Sequence, residues 1–88
     1  MDWDVTTSRQ VDKFLKMNHL KDEDFLNPVI RGINKLSGEK VSVDLKRMTG
    51  NWNGYFRVRS GKKRVIFSVD FLNKKAHIEV FDFRGNVY

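Results

Sequence analysis

The run Tyr55-Phe56-Arg57-Val58-Arg59-Ser60-Gly61-Lys62-Lys63-Arg64-Val65-Ile66-Phe67-Ser68-Val69-Asp70 decides the fold. Its apolar residues recur at every second position on both sides of Ser60-Gly61-Lys62-Lys63, which is the period of a strand, and the interruption has the composition of a turn. An antiparallel hairpin is predicted. In the first arm Phe56 and Val58 share one face while Tyr55, Arg57 and Arg59 share the other. In the second, Val65, Phe67 and Val69 oppose Arg64, Ile66 and Ser68. If the apolar face is packed against something, Arg57, Arg59 and Arg64 gather on the far side, near Lys62 and Lys63.

Downstream, Asn73-Lys74 separates this hairpin from a third strand over Ala76 to Phe83, followed by Arg84-Gly85-Asn86-Val87-Tyr88. Upstream the period lengthens. Trp3 to Thr6 reads as a short strand, and Val11, Phe14 and Leu15 have the i, i+3, i+4 spacing of a helix over 8–18, with Thr7 or Ser8 as its cap. Phe25, Leu26, Val29, Ile30, Ile33 and Leu36 repeat that spacing, but Pro28 interrupts it. With Asn27 as N-cap and Pro28 at the first helical position, the second helix is expected at 28–36, ended by Gly38. The architecture expected is α+β, with the order β-α-α-β-β-β: an antiparallel sheet with a helical hairpin packed on one face. No internal repeat or linker interrupts it, so residues 1–88 are read as one domain.

Composition sets the class of partner. The chain has 88 residues with 17 Lys and Arg against 11 Asp and Glu, a formal net charge of +6. The halves differ: residues 1–44 have a net charge of −1, and residues 45–88 have a net charge of +7, with eight of the eleven aromatics. Such an imbalance favours an anionic partner. Cysteine is absent, which excludes disulfides and thiol chemistry. No apolar run is long enough to span a membrane, and the acidic start Met1-Asp2-Trp3-Asp4 is unlike a secretory signal, so a cytoplasmic protein is expected.

The cation cluster admits two readings. Guanidinium groups donate paired hydrogen bonds to phosphate oxygens, so Arg57, Arg59 and Arg64 with Lys62 and Lys63 suit a phosphate backbone. The same charges would also keep one wet sheet face soluble and protect an edge. The asymmetry between the halves and the lack of interleaved acids favour the first. Lys46, Arg47 and Met48 precede the hairpin in what reads as a loop, with Trp52. A tryptophan there can stack on a nucleobase, but filling the edge of a small core is the favoured expectation. His19 and His77 stand alone, without an acidic or histidine partner at ligand spacing, so no metal or other cofactor is expected.

The stretches Leu45-Lys46-Arg47-Met48, Gly50 through Phe67, and the ending Arg84-Gly85-Asn86-Val87-Tyr88 resemble the RelE/ParE superfamily of bacterial toxins, and with the preceding strand and two helices the resemblance covers nearly the whole chain. It implies the toxin of a type II toxin-antitoxin system, with a cognate antitoxin as partner and operator DNA bound only through the antitoxin complex. The RelE branch implies a ribosome-dependent mRNA endonuclease that cuts by 2′-hydroxyl attack without metal. The ParE branch implies a gyrase inhibitor that acts by binding, and a degenerate member would bind only its antitoxin. By the same resemblance Arg64, Arg84 and Tyr88 are the catalytic candidates. Lys46, Arg47, Arg57, Arg59, Lys62 and Lys63 are the candidates for holding RNA phosphates.

Overall fold

The computed structural model describes residues 3–83; Arg84 and Tyr88 lie outside the described residues. Its elements are β1 (Asp4–Thr7), α1 (Arg9–Met17), α2 (Glu23–Leu36), β2 (Asp44–Arg47), β3 (Phe56–Ser60), β4 (Lys63–Asp70) and β5 (Lys75–Phe83), with a 3-10 turn at Gly50–Trp52. The strands form one sheet in the order β1-β5-β4-β3-β2. Pairing is antiparallel except between β1 and β5, which run parallel, so the sheet is mixed where a purely antiparallel one was expected. β1 is separated from the other strands by both helices, so no hairpin fixes its direction against β5, and alternation does not encode it.

The fifth strand was not foreseen. β2 has Leu45 as its single apolar residue and therefore shows no alternation; its partner makes it a strand, through the ladder Asp44↔Arg59, Leu45↔Val58, Lys46↔Arg57 and Arg47↔Phe56. The second helix also starts earlier than 28. Pro28 sits inside α2, where it removes one main-chain hydrogen bond at a cost of about 3 kcal/mol. Phe25 outweighs it: at 2% exposure the ring lies in the core, 5.9 Å from Phe81 in an edge-on contact.

Both helices pack on one face of the sheet. Val11, Phe25, Val29 and Ile33 meet Val58, Val65, Phe67, Ala76, Ile78 and Phe81 in the main core. α2 comes close to the strands at Gly32, where a Cβ would stand 3.3 Å from the Phe67 ring and 3.4 Å from Leu45. α1 is fixed by β5. Ser8 caps the helix by accepting from the Val11 amide, and its hydroxyl donates to the Glu79 carbonyl at 2.6 Å.

A register shift places a bulge in the β4–β5 ladder. Ile66 pairs with Val80 and Phe67 with Ile78, which leaves Glu79 as the extra residue. Before the bulge the even-numbered Ala76 and Ile78 enter the core, and after it the odd-numbered Phe81 does. The bulge thus turns Asp82 to the face away from the helices.

Candidate functional site

Register lays out that face in rows across the strands. One row runs Asp44, Arg59, Arg64, Asp82, and the next runs Lys46, Arg57, Ile66, Val80. Arg57, Arg59 and Arg64 therefore share a face as the alternation predicts, and β2 adds Lys46 beside Arg57. Ile66 is only 4% exposed although it stands outside the main core. Its partner across the ladder is Arg57, a residue whose long aliphatic stem can cover apolar surface.

Three of the expected phosphate ligands lie elsewhere. Lys63 has the parity of Val65, so it points to the helix side, where its ammonium is 3.4 Å from the Asp24 carboxylate. Arg47 pairs with Phe56 and stacks its guanidinium over that ring at 5.6 Å, again on the helix side of the sheet. Lys62 is exposed in the turn between β3 and β4, off the sheet face. Arg57, Arg59, Lys62, Lys63 and Arg64 therefore do not form a single patch, because neighbouring residues of a strand point opposite ways.

Acids are interleaved after all, from distant parts of the chain. The Arg64 side chain forks onto Asp82, Nε to Oδ1 at 3.1 Å and Nη2 to Oδ2 at 2.9 Å, with both side chains largely buried. Asp44, about half exposed, accepts from Arg57 at 3.1 Å and lies 3.9 Å from Arg59. Two arginines thus share one wet carboxylate, whereas the carboxylate that Arg64 meets is largely buried. Burial pushes the Asp82 carboxyl above its ordinary value, against the opposing pull of Arg64. Arg57 is shifted down, first by burial and then by Arg59; it remains charged near neutrality because a guanidinium starts so high.

His77 does have partners. Its Nε2 is 2.7 Å from Glu79, and its Nδ1 is 2.8 Å from the Thr6 hydroxyl on β1. Both ring nitrogens are thus engaged, and the hydroxyl of Thr6 can donate or accept to suit the tautomer. The signal was present as an acid two residues along a strand, on the same side as the histidine. Thr6 and His77 also line a shallow groove of about 720 Å³, with Trp3, Ser68, Asp70 and Lys75 among others. Among the described residues no cluster of histidines and acids suited to a metal occurs. Trp52 meets Tyr55 edge-on at 5.4 Å, a local pair just ahead of β3.

A five-stranded mixed sheet with two helices is the fold of the RelE-like toxins, the superfamily of RelE, YoeB and YafQ. A chain of the archaeal RelE-RelB complex from Pyrococcus horikoshii superposes with a TM-score of 0.59 at 27% identity, covering 99% of this chain and 100% of that one. The YoeB-YefM toxin-antitoxin complex from Staphylococcus aureus gives a TM-score of 0.65 at 16% identity, covering 96% of this chain and 99% of that one. A metal-bound toxin from Helicobacter pylori gives 0.67 at 12% identity, covering 98% of this chain and 99% of that one. No protein-family model and no curated protein matches the sequence, so the likeness is carried by the fold.

Proposed function

We propose that this chain is the toxin of a type II toxin-antitoxin system and that its arginine face cuts message bound to the ribosome. The observation that carries the reading is the convergence of Lys46, Arg57, Arg59 and Arg64 on the sheet face away from the helices, in a RelE-like fold. In this reading the neighbouring 2′-hydroxyl of the RNA loses its proton and attacks phosphorus, closing a 2′,3′-cyclic phosphate as the bond to the 5′-oxygen breaks and that oxygen takes up a proton. The charge that grows on the phosphorane oxygens is met by guanidinium groups fixed on paired strands, which need little reorganisation as the reaction proceeds. Arginine does not titrate, so the proton for the leaving oxygen must come from another group. Lys46, exposed opposite Arg57, is suited to give it, and the sequence-level candidates Arg84 and Tyr88 complete the set. The toxin-antitoxin complexes among the structural neighbours support an antitoxin as partner, and in this reading it covers the face at rest.

A shallow sheet face orients a flexible strand poorly, and alignment is a large part of the barrier. The ribosome supplies that positioning. Purified protein freed of its antitoxin is expected to leave naked mRNA nearly intact, and to cut message on ribosomes with an open decoding site, in the presence of chelator, leaving a 5′-hydroxyl. Intact ribosome-bound message would overturn the reading. The pairing of Arg64 with Asp82 favours a second reading, a ParE-like or antitoxin-binding member that cuts nothing. A supercoiling assay with gyrase on the same sample tests its first form.

A further inference from the structure

Asn27, Arg31 and Lys35 stand four residues apart on α2 and form one stripe along it, and this stripe lines a groove of about 610 Å³. The sheet supplies the rest of the lining, with Asp44, Arg59 and Ser60 among others. Arg59 belongs to the face away from the helices and α2 to the helix layer, so the groove passes round the sheet where β2, its last strand, begins. Arg31 and Lys35 are the two basic residues of α2, whose acids Glu23 and Asp24 sit in its first turn. Both cations are exposed. In the fold they donate to neutral partners, Arg31 Nη2 to the Ser42 carbonyl and Lys35 Nζ to the Val43 carbonyl at 3.3 Å. A carbonyl takes one of the five N–H donors of arginine or one of the three of lysine, and it cancels no charge. The apolar lining, Pro28 and Val43, is buried or half-buried, so the groove offers charge and hydrogen bonds but no seat for a large apolar side chain.

We propose that this groove is a second seat for an RNA backbone, continuous with the arginine face at Arg59, so that a strand held by Lys46, Arg57 and Arg59 continues round the β2 edge to Arg31 and Lys35. The proposal rests on the reading of that face as an RNA surface and extends it to a pair of residues on the helix layer. Cations spaced along a line suit a polymer that carries a phosphate at each step, and such contacts position a strand without reading its sequence. An acidic peptide would meet the same cations, but continuity with the arginine face favours one polymer across both.

Counterion release makes the contacts measurable. For single strands the affinity falls with salt with a log-log slope of about −0.7 per neutralised phosphate. Full-length protein without antitoxin is titrated with a single-stranded RNA of about 12 nucleotides across about 50 to 200 mM salt, the span over which such contacts weaken. Arg31→Gln with Lys35→Gln removes both charges and keeps an amide donor at each position. Its slope is expected to be shallower than the native one by about 0.7 to 1.4, so over that span the native protein loses about three- to sevenfold more affinity than the variant. Lys13→Gln with Lys16→Gln takes the same charge from exposed positions of α1, a helix packed on β5 with β4 and β3 between it and β2, and is expected to keep the native slope. A native slope in the Arg31 and Lys35 variant overturns the proposal and leaves the arginine face standing. An equal change in the Lys13 and Lys16 variant also overturns it, since net charge then accounts for the effect. If circular dichroism shows the Arg31 and Lys35 variant unfolded, Lys35→Gln alone decides, with an expected change of about 0.7. A polyglutamate peptide that loses affinity on the same substitutions as strongly as RNA does overturns the RNA assignment and gives the groove to an acidic peptide. Native protein that binds no RNA at the lowest salt overturns the RNA reading of the face, and the groove with it.

Discussion

Gln10 gives Phe81 both hydrogen bonds that a neighbouring strand would give: its Nε2 donates to the Phe81 carbonyl and its Oε1 accepts from the Phe81 amide, each at 3.0 Å. β1 pairs with β5 only as far as Ile78, so beyond that point the ladder ends while β5 continues. Ser8 takes over at the Glu79 carbonyl and Gln10 at Phe81. Two side chains near the start of α1 thus complete a strand edge that main chain leaves open. The expected effect of Gln10→Ala is a loss of about 1–3 kcal/mol, the cost of leaving partly buried peptide groups without partners. Gln10→Glu, which can accept but not donate when ionised, should recover part of it. Denaturant midpoints measure both, and a midpoint unchanged in Gln10→Ala would show that water replaces the amide.

The first turn of α2 is held by one ring. Phe25 precedes Pro28 and is packed among Val29, Ile33 and Phe81 in the core. Phe25→Ala is expected to cost about 3–5 kcal/mol, the range for an aromatic removed from a core. The same substitution should melt the turn before Pro28 first, since the proline already lacks one hydrogen bond there. Faster hydrogen exchange at Leu26 and Asn27 than at Ile33 would show this, and equal exchange along the helix would refute it.

Alternation revealed the hairpin because both arms of β3 and β4 put apolar residues on one buried face and polar ones on the other. It failed where pairing rather than burial makes the strand: Asp44 to Arg47 has one half-buried leucine and three exposed side chains, which read as loop. Pro28 misled for a related reason, since a local rule about helix starts was overridden by the burial of Phe25. For the site, sharing a face was legible and charge balance was not. Counting acids along the hairpin found none among its cations, yet Asp44 and Asp82 arrive from β2 and β5. The switch from even to odd apolar positions between Ile78 and Phe81 was a visible sign of the bulge that aims Asp82 at Arg64. Nothing local showed that Lys63 has Asp24 as its partner, 39 residues away.

Acid should act on the fold through two carboxylates, Asp24 at the start of α2 and the exposed Asp70 at the end of β4. The Lys21 amide, the largest influence on Asp24, holds its carboxyl below the usual value with help from Lys63, and Asn73 does the same for Asp70 through its side chain and amide. A depressed carboxyl stabilises the native state fully above its unfolded pKa of about 3.9, and the contribution is lost as pH falls through the folded value. Asp82 has the opposite sign. With its pKa raised, the native state binds the extra proton, so stability falls as pH rises from about 3.9 through the elevated folded value. Thermal melts from pH 2 to 7 are expected to show less acid loss in Asp70→Asn, and Asp82→Asn should remove the decline above about pH 4. An Asp82→Asn profile parallel to the native one throughout would sink the second assignment.

The catalytic test of Arg64 has to be separated from its structural one. Arg64→Ala takes the forked partner from a largely buried carboxylate, and breaking such a pair costs about 3–5 kcal/mol, a sizeable part of the stability of a small domain. Lost activity in that variant alone would therefore be ambiguous. Adding Asp82→Asn removes the charge that has lost the Arg64 fork, so the double variant should be more stable than Arg64→Ala and the two changes strongly non-additive. If Arg64 stabilises the phosphorane, the double variant, folded and able to bind antitoxin, should cut ribosome-bound message about 100- to 1000-fold more slowly, the scale of losing one oxyanion donor. Tyr88→Phe, assigned from the closing motif, should also lower cleavage. Single-turnover cleavage at saturating ribosome gives the rates, and a folded double variant that cleaves at the native rate takes Arg64 out of the reaction.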